Sequence, residues 1–161
     1  MSNSNIIKNY RVKKDFVRIE INNENYKFLR KELARFYQHG RTSIFYHCRH
    51  VAYFSYYLAL QINKRFNAKV DFEALVNAAC MHDLFMYDWH EKGGNHKFHG
   101  YTHPHTAASN AKTYCNANEK EQNIIETHMW PLTITKIPRS KEAWLVCLCD
   151  KYCAIKETIY R

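Results

Sequence analysis

Glycine and proline are scarce in this chain, four and three residues among 161, so few positions interrupt a helical periodicity. No run approaches the roughly 20 apolar residues that a membrane span requires. The opening segment MSNSNIIKNYRVKK lacks the apolar block of a secretory signal. A cytoplasmic protein without a membrane partner is expected. No segment is low in complexity or visibly repeated, and the length suits one ordinary domain.

Several features are plentiful. Hydrophobic residues make up 46% of the chain, enough for one sizeable core. Six cysteines (48, 80, 115, 147, 149, 153) fall mostly within helical patterns and are expected as reduced thiols. Cys149 and Cys153 share a helix face, but a thiolate metal site is not expected. The formal charge is +9, and residues 1–41 carry ten Lys/Arg against four Asp/Glu. This basic balance fits either a solvated surface or a rim that attracts phosphorylated substrates. No binding motif or Gly/aromatic signature accompanies the charge, so nucleic acid is not the expected partner. The oligomeric state is left open.

Apolar residues recur at helical spacing over most of the chain. A first helix is expected over 24–38, closed by Gly40. A second runs over 43–66 with Thr42 or Ser43 as its cap, and Asp71 caps a third that ends near Asp83. Residues 84–101 read as a polar, His-rich loop. Thr102 is expected to cap a fourth helix, with Pro104 in its first turn. Asn118 and Glu121 form a capping box for a fifth, ending near Met129. Pro131 and Pro138 bracket a connector, and Ser140 opens the last helix, to about Thr158. FVRIEI, within residues 10–21, alternates like an extended arm. The expectation is an all-α domain of about six helices over 1–161, with 1–23 as a basic N-terminal arm and 43–157 as the helical core.

Helical projection aims several ionisable residues inward. Leu75, Ala79 and His82 lie on one stripe, and Val76, Cys80 and Asp83 on its neighbour. His47 continues Val51, Phe54 and Leu58; Asp150 continues Ala143 and Cys147; His128 follows Ile124; His103 shares a face with Ala107. No comparable set of inward Lys or Arg is present to neutralise two buried carboxylates. Buried charges must be paired or bound to metal. Imidazoles and carboxylates converging on one point suit a divalent transition metal such as Mn, Fe, Co, Ni or Zn.

The order His47, His82-Asp83, Asp150, set in HCRHVA, ACMHDLF and CDKYCA, resembles the H…HD…D signature of the HD-domain metal-dependent phosphohydrolases. The resemblance covers about residues 43–157. It implies an all-helical fold with His47, His82, Asp83 and Asp150 on one metal. Some branches of the family add two histidines and hold a second ion. GYTHPHTAA and IIETHMWP fit those positions, with His103 and His128 as the matching residues. Where two-metal members often carry a His-His pair, this chain has His128-Met129, so one or two ions are both open. His105 competes with His103.

The expected activity is hydrolysis of a small phosphate ester, with a nucleotide as one candidate, by metal-activated water. Asp83 would bridge two ions. Asp88, Lys151 and His50 are candidates to protonate or neutralise the leaving oxygen. Arg49 is a candidate for holding phosphate. His99 and Lys92, from the loop YDWHEKGGNHKFHG, and Trp130 are further candidates for substrate contact. The same ligand set would also serve a non-catalytic module binding metal and nucleotide, or a di-iron oxygenase of the HD type.

Overall fold

The computed structural model describes residues 12–20, 24–39, 41–91 and 98–159. Seven helices make up nearly all of its regular structure: α1 (12–20), α2 (Tyr26–Leu33), α3 (Ile44–Phe66), α4 (Phe72–Met81), α5 (His99–Cys115), α6 (Glu119–Thr127) and α7 (Lys141–Ile159). The one sheet among these residues is an antiparallel pair, β1 (Tyr37–His39) with β2 (Thr42–Ser43). None of these helices is long and apolar enough to cross a membrane.

Local chemistry explains most helix starts. Ser43 accepts a hydrogen bond from the Tyr46 amide, Asp71 from the Ala74 amide and the Ser140 hydroxyl from the Ala143 amide. Asn118 and Glu121 form the expected reciprocal box at the start of α6. α3 packs on α4 and α7, α4 reaches α6, and α5 lies chiefly on α6. Leu75, Val76, Ala79, Ile124, Ile125, Ala143 and Val146 are fully buried where these helices meet. Small residues on α4 and α5 (Ala78, Ala79, Ala107, Ala111) allow the close approach that brings the inward polar groups together.

Three local expectations need correction. The alternation near residues 10–21 is not an extended arm over 12–20, which is helical. Phe16 and Glu20, four apart, are both buried, and Val12, Val17 and Ile19 pack partly buried beside them on the same side of the helix. The segment 24–38 is helical only to Leu33, because Tyr37–His39 pairs with Thr42–Ser43 instead. α5 begins at His99, before Thr102. Phe98 caps it in a left-handed conformation (φ 68°), and Pro104 lies inside the helix, where it withdraws one bond to the carbonyl of Gly100. Residues 1–11 of the proposed basic arm, with 21–23, lie outside the described residues.

All six cysteines are free, and most are buried. Burial, with nearby Glu157, pushes the Cys153 thiol up to about 12, so it behaves as a neutral core residue.

Candidate metal centre

Six side chains from α3, α5, α7 and the C-terminal ends of α4 and α6 meet in the interior. They form three overlapping groups able to hold a metal: His47-His82-Asp83, His82-His128-Asp150 and Asp83-His103-His128. His82 is the C-cap of α4 and donates from Nδ1 to the Ala79 carbonyl at 2.8 Å. His128 plays the same part on α6, 2.6 Å from the Ile125 carbonyl. His103 Nδ1 lies 2.8 Å from the His99 carbonyl. Three imidazoles are thus pinned by carbonyls of their own helices.

The fourth is pinned by a residue that sequence spacing did not single out. His47 Nδ1 lies 2.9 Å from the Glu157 carboxylate, whose other oxygen is 2.8 Å from His50 Nδ1. With all four Nδ1 atoms facing acceptors, each Nδ1 carries the hydrogen. In the neutral ring Nε2 is then a lone pair. Those lone pairs converge on two carboxylates. His47 Nε2 is 3.1 Å from Asp150 Oδ1 and 3.7 Å from Asp83 Oδ2. His82 Nε2 is 3.5 Å from Asp83 Oδ2 and 3.6 Å from Asp150 Oδ1. On the other side, His103 and His128 place Nε2 atoms 3.3 and 3.7 Å from Asp83 Oδ1.

That arrangement is unfavourable without positive charge inside it. His103 Nε2 and His128 Nε2 stand 3.0 Å apart, and two lone pairs at that separation repel. His82 Nε2 and Asp83 Oδ1 are buried and make no hydrogen bond of normal geometry. A divalent transition ion resolves both defects, since imidazole nitrogen and carboxylate oxygen are its preferred donors. The residues fit such a group.

Titration follows the same convergence. Burial opposes charge on His47, yet its bonds to Asp150 and Glu157 push its pKa up to about 10. Burial together with the neighbouring His82 and His103 pushes His128 down to about 3. Burial would raise Asp83, but His82 and His103 hold it below the usual carboxylate range. Glu157, also raised by burial, is brought to about 2 by its bonds to His47 and His50.

A cavity of about 650 Å³ opens on this cluster, within the range of small-ligand sites. Asp83, His103, His128 and Asp150 line it, along with Gln38, His99 and Lys151. Gln38, another residue that sequence spacing missed, donates from Nε2 to Asp83 Oδ2 at 2.6 Å. Lys151 donates to the His128 carbonyl at 2.8 Å. His99 lies 3.0 Å from the Tyr87 hydroxyl and stacks on Trp89.

Other candidates lie elsewhere. Arg49 grips the buried Glu20 through two bonds of 2.6 and 3.0 Å and lines a different crevice. His50 is half exposed and faces a separate cleft with Arg41 and Lys156. Asp88 caps the turn at His90. Trp130 packs edge-on against Trp144 and is outside the cavity lining. His105 sits at the surface, 3.1 Å from Glu126. Lys92 lies outside the described residues. The physical reason is common to the misplaced ones: a helix face or a turn partner claims each side chain before the cavity can.

Two predictions arise from these partners. Arg49→Ala should leave Glu20 as an unpaired buried carboxylate, costing about 2 kcal/mol after allowing for the partly exposed arginine. In a domain of this size that lowers the midpoint of thermal unfolding by roughly 4–8 °C. Metal content should not change, and a calorimetric scan beside metal analysis checks both. Glu157→Gln should weaken metal binding by about ten- to a hundredfold through a poorly oriented His47, measured by competition with a chelator.

The chain matches the HD domain family model over residues 44–155, well over half its length, and it belongs to that family. Families of this type are generally metal-binding hydrolases, and the buried His/Asp groups agree with metal binding. No curated protein and no solved structure matches the chain.

Proposed function

We propose that this protein is a metal-dependent phosphohydrolase acting on a small phosphate ester in the cytoplasm. The carrying observation is that the two oxygens of Asp83 face two different nests of lone pairs. Oδ2 looks toward His47 and His82, and Oδ1 toward His103 and His128. On this reading His47, His82, Asp83 and Asp150 hold one ion, while His103 and His128 share Asp83 with a second. The chemistry such ions supply when bound is polarisation of phosphoryl oxygens and acidification of water.

The chain's own groups have separable tasks. Gln38 fixes the Asp83 carboxylate, and its donated hydrogen favours the ionised form. Glu157 keeps the His47 hydrogen on Nδ1, leaving Nε2 as the ligand atom. Lys151 is the one Lys or Arg among the described residues lining the cavity. It is therefore the group that neutralises a phosphate oxygen or the leaving oxygen, in preference to Asp88 and His50. Its bond to the His128 carbonyl sets its position.

The test is release of inorganic phosphate from a panel of small phosphate esters, nucleotides among them, with added Mn²⁺. Metal-dependent release that Lys151→Met reduces in kcat is the expected result. Tight nucleotide binding without release would instead favour a regulatory module, and oxygen uptake by an iron-loaded sample an oxygenase.

A further inference from the structure

We infer that the ester's non-phosphate portion is apolar: the substrate is the phosphomonoester of an aliphatic or otherwise apolar alcohol. This inference rests on the phosphohydrolase reading above and names the substrate class for that same cavity.

Away from the metal cluster the cavity wall has little to offer a hydroxylated group. Met129, Pro131, Leu132, Gly100, Ala154 and Trp89 supply it. Three polar lining groups already have partners, Gln38 Nε2 with Asp83, Lys151 with the His128 carbonyl and His99 with Tyr87, and the two buried polar atoms beyond the metal cluster without one, Gln38 Oε1 and Trp89 Nε1, are single groups set apart from the Met129–Leu132 stretch. A sugar hydroxyl seated against Met129, Pro131, Leu132 or Ala154 would lose its water without gaining a side-chain partner, which costs more than leaving it outside.

The wall is closely fitted. A methyl group at Gly100 would stand 2.9 Å from Leu132 Cδ2 and 3.9 Å from Met129 Cε. A Cβ at this position would push the Leu132 side chain aside, so the glycine lets that side chain lie against the start of α5. The apolar character also runs outward along the same segments. Leu132 is itself 42% exposed, Ile134 and Ile137 follow it exposed on the connector, and exposed Phe98 precedes the start of α5. Exposed apolar side chains on the chain segments that adjoin the lining suit a surface that receives apolar ligands.

A nucleobase fits less well. Trp89, the one Trp in the lining, is already stacked on His99 at 5.1 Å with planes 5° apart, and its ring lies 3.9 Å from that of His90. Trp130 is turned to Trp144. The reaction balances simply. Water oxygen forms the new bond to phosphorus as the bond to the alcohol oxygen breaks. One water proton ends on the alcohol and the other on hydrogen phosphate.

Alkylphosphonates test the assignment by binding alone, because water does not cleave their P–C bond. Calorimetry on Mn²⁺-loaded protein should find octylphosphonate bound about a hundredfold tighter than methylphosphonate, as expected if about half of its seven additional carbons are buried at about fourfold each. Leu132→Asn, at a partly exposed position that tolerates polarity, should remove about tenfold of that gain and leave methylphosphonate unchanged. Equal affinity of the two phosphonates would overturn the apolar substrate class while sparing the phosphohydrolase reading. Binding of neither to the loaded protein would overturn both. In a hydrolysis arm, octyl phosphate should be cleaved with a higher kcat/KM than glycerol phosphate, and the reverse order overturns the inference. Presenting the octyl ester free or in phosphatidylcholine vesicles separates a dissolved source from a bilayer source; faster cleavage in either form, relative to glycerol phosphate, supports it.

Discussion

Asp83→Asn should strip the protein of nearly all bound transition metal, whichever ion the native protein carries. The carboxylate faces both nests with a different oxygen, with imidazole Nε2 atoms at 3.5–3.7 Å from Oδ2 and 3.3–3.7 Å from Oδ1. The amide keeps the shape but loses the charge, and its NH₂ would turn a donor toward one nest. Elemental analysis of purified protein should find one to two equivalents in the parent and a small residue in the variant. His82→Ala should empty the first nest with similar severity, since His82 belongs to two of the three groups. Full metal in both variants would refute the site.

The stability readout has a definite size. A ligand present at a hundredfold its Kd stabilises the native state by about 2.7 kcal/mol. For a chain of this length that corresponds to roughly 5–10 °C in the midpoint. The parent should gain that much on adding metal, and Asp83→Asn should gain almost nothing. Without metal the variant should be little less stable than the parent, because it removes a buried carboxylate that no Lys or Arg among the described residues pairs with.

The buried His/Asp cluster was legible because the residues that build it obey helical periodicity. His82 and Asp83 extend apolar stripes of α4, and His47, His103, His128 and Asp150 each continue a stripe on another helix; all six are buried. Gln38 was not legible. It reaches Asp83 only because the chain leaves α2 at Leu33 and forms β1, a tertiary pairing that overrides the helical pattern over 24–38. Glu157 lies in the last turns of α7 among exposed residues, and nothing local signals that it spans 110 positions to meet His47. Arg49 and His50 misled for the converse reason. They follow the inward His47 by two and three positions, and each step along a helix turns about 100°, so Arg49 turns to Glu20 and His50 to the outer oxygen of Glu157. Aromatic residues were equally ambiguous, since composition does not tell which ring, Trp89 or Trp130, meets the cavity.

The second nest gives the sharper test of what His128-Met129 means for metal count. His103→Ala or His128→Ala should halve the bound metal and leave the remainder at His47, His82, Asp83 and Asp150. Those four span distances of 3.1–3.7 Å that do not depend on α5. Met129 in place of a further histidine lines the cavity wall, so the second ion would have only Asp83, His103 and His128 from the described chain. Such a site is the weaker of the two and should lose its ion first to a chelator titrated into the parent protein. His105→Ala should alter neither the count nor the order of loss, because His105 is exposed on the opposite flank of α5, beside Glu126. A parent that binds one equivalent, and keeps it after His103→Ala, would restrict the centre to a single ion and leave the 3.0 Å approach of His103 to His128 to a shared proton.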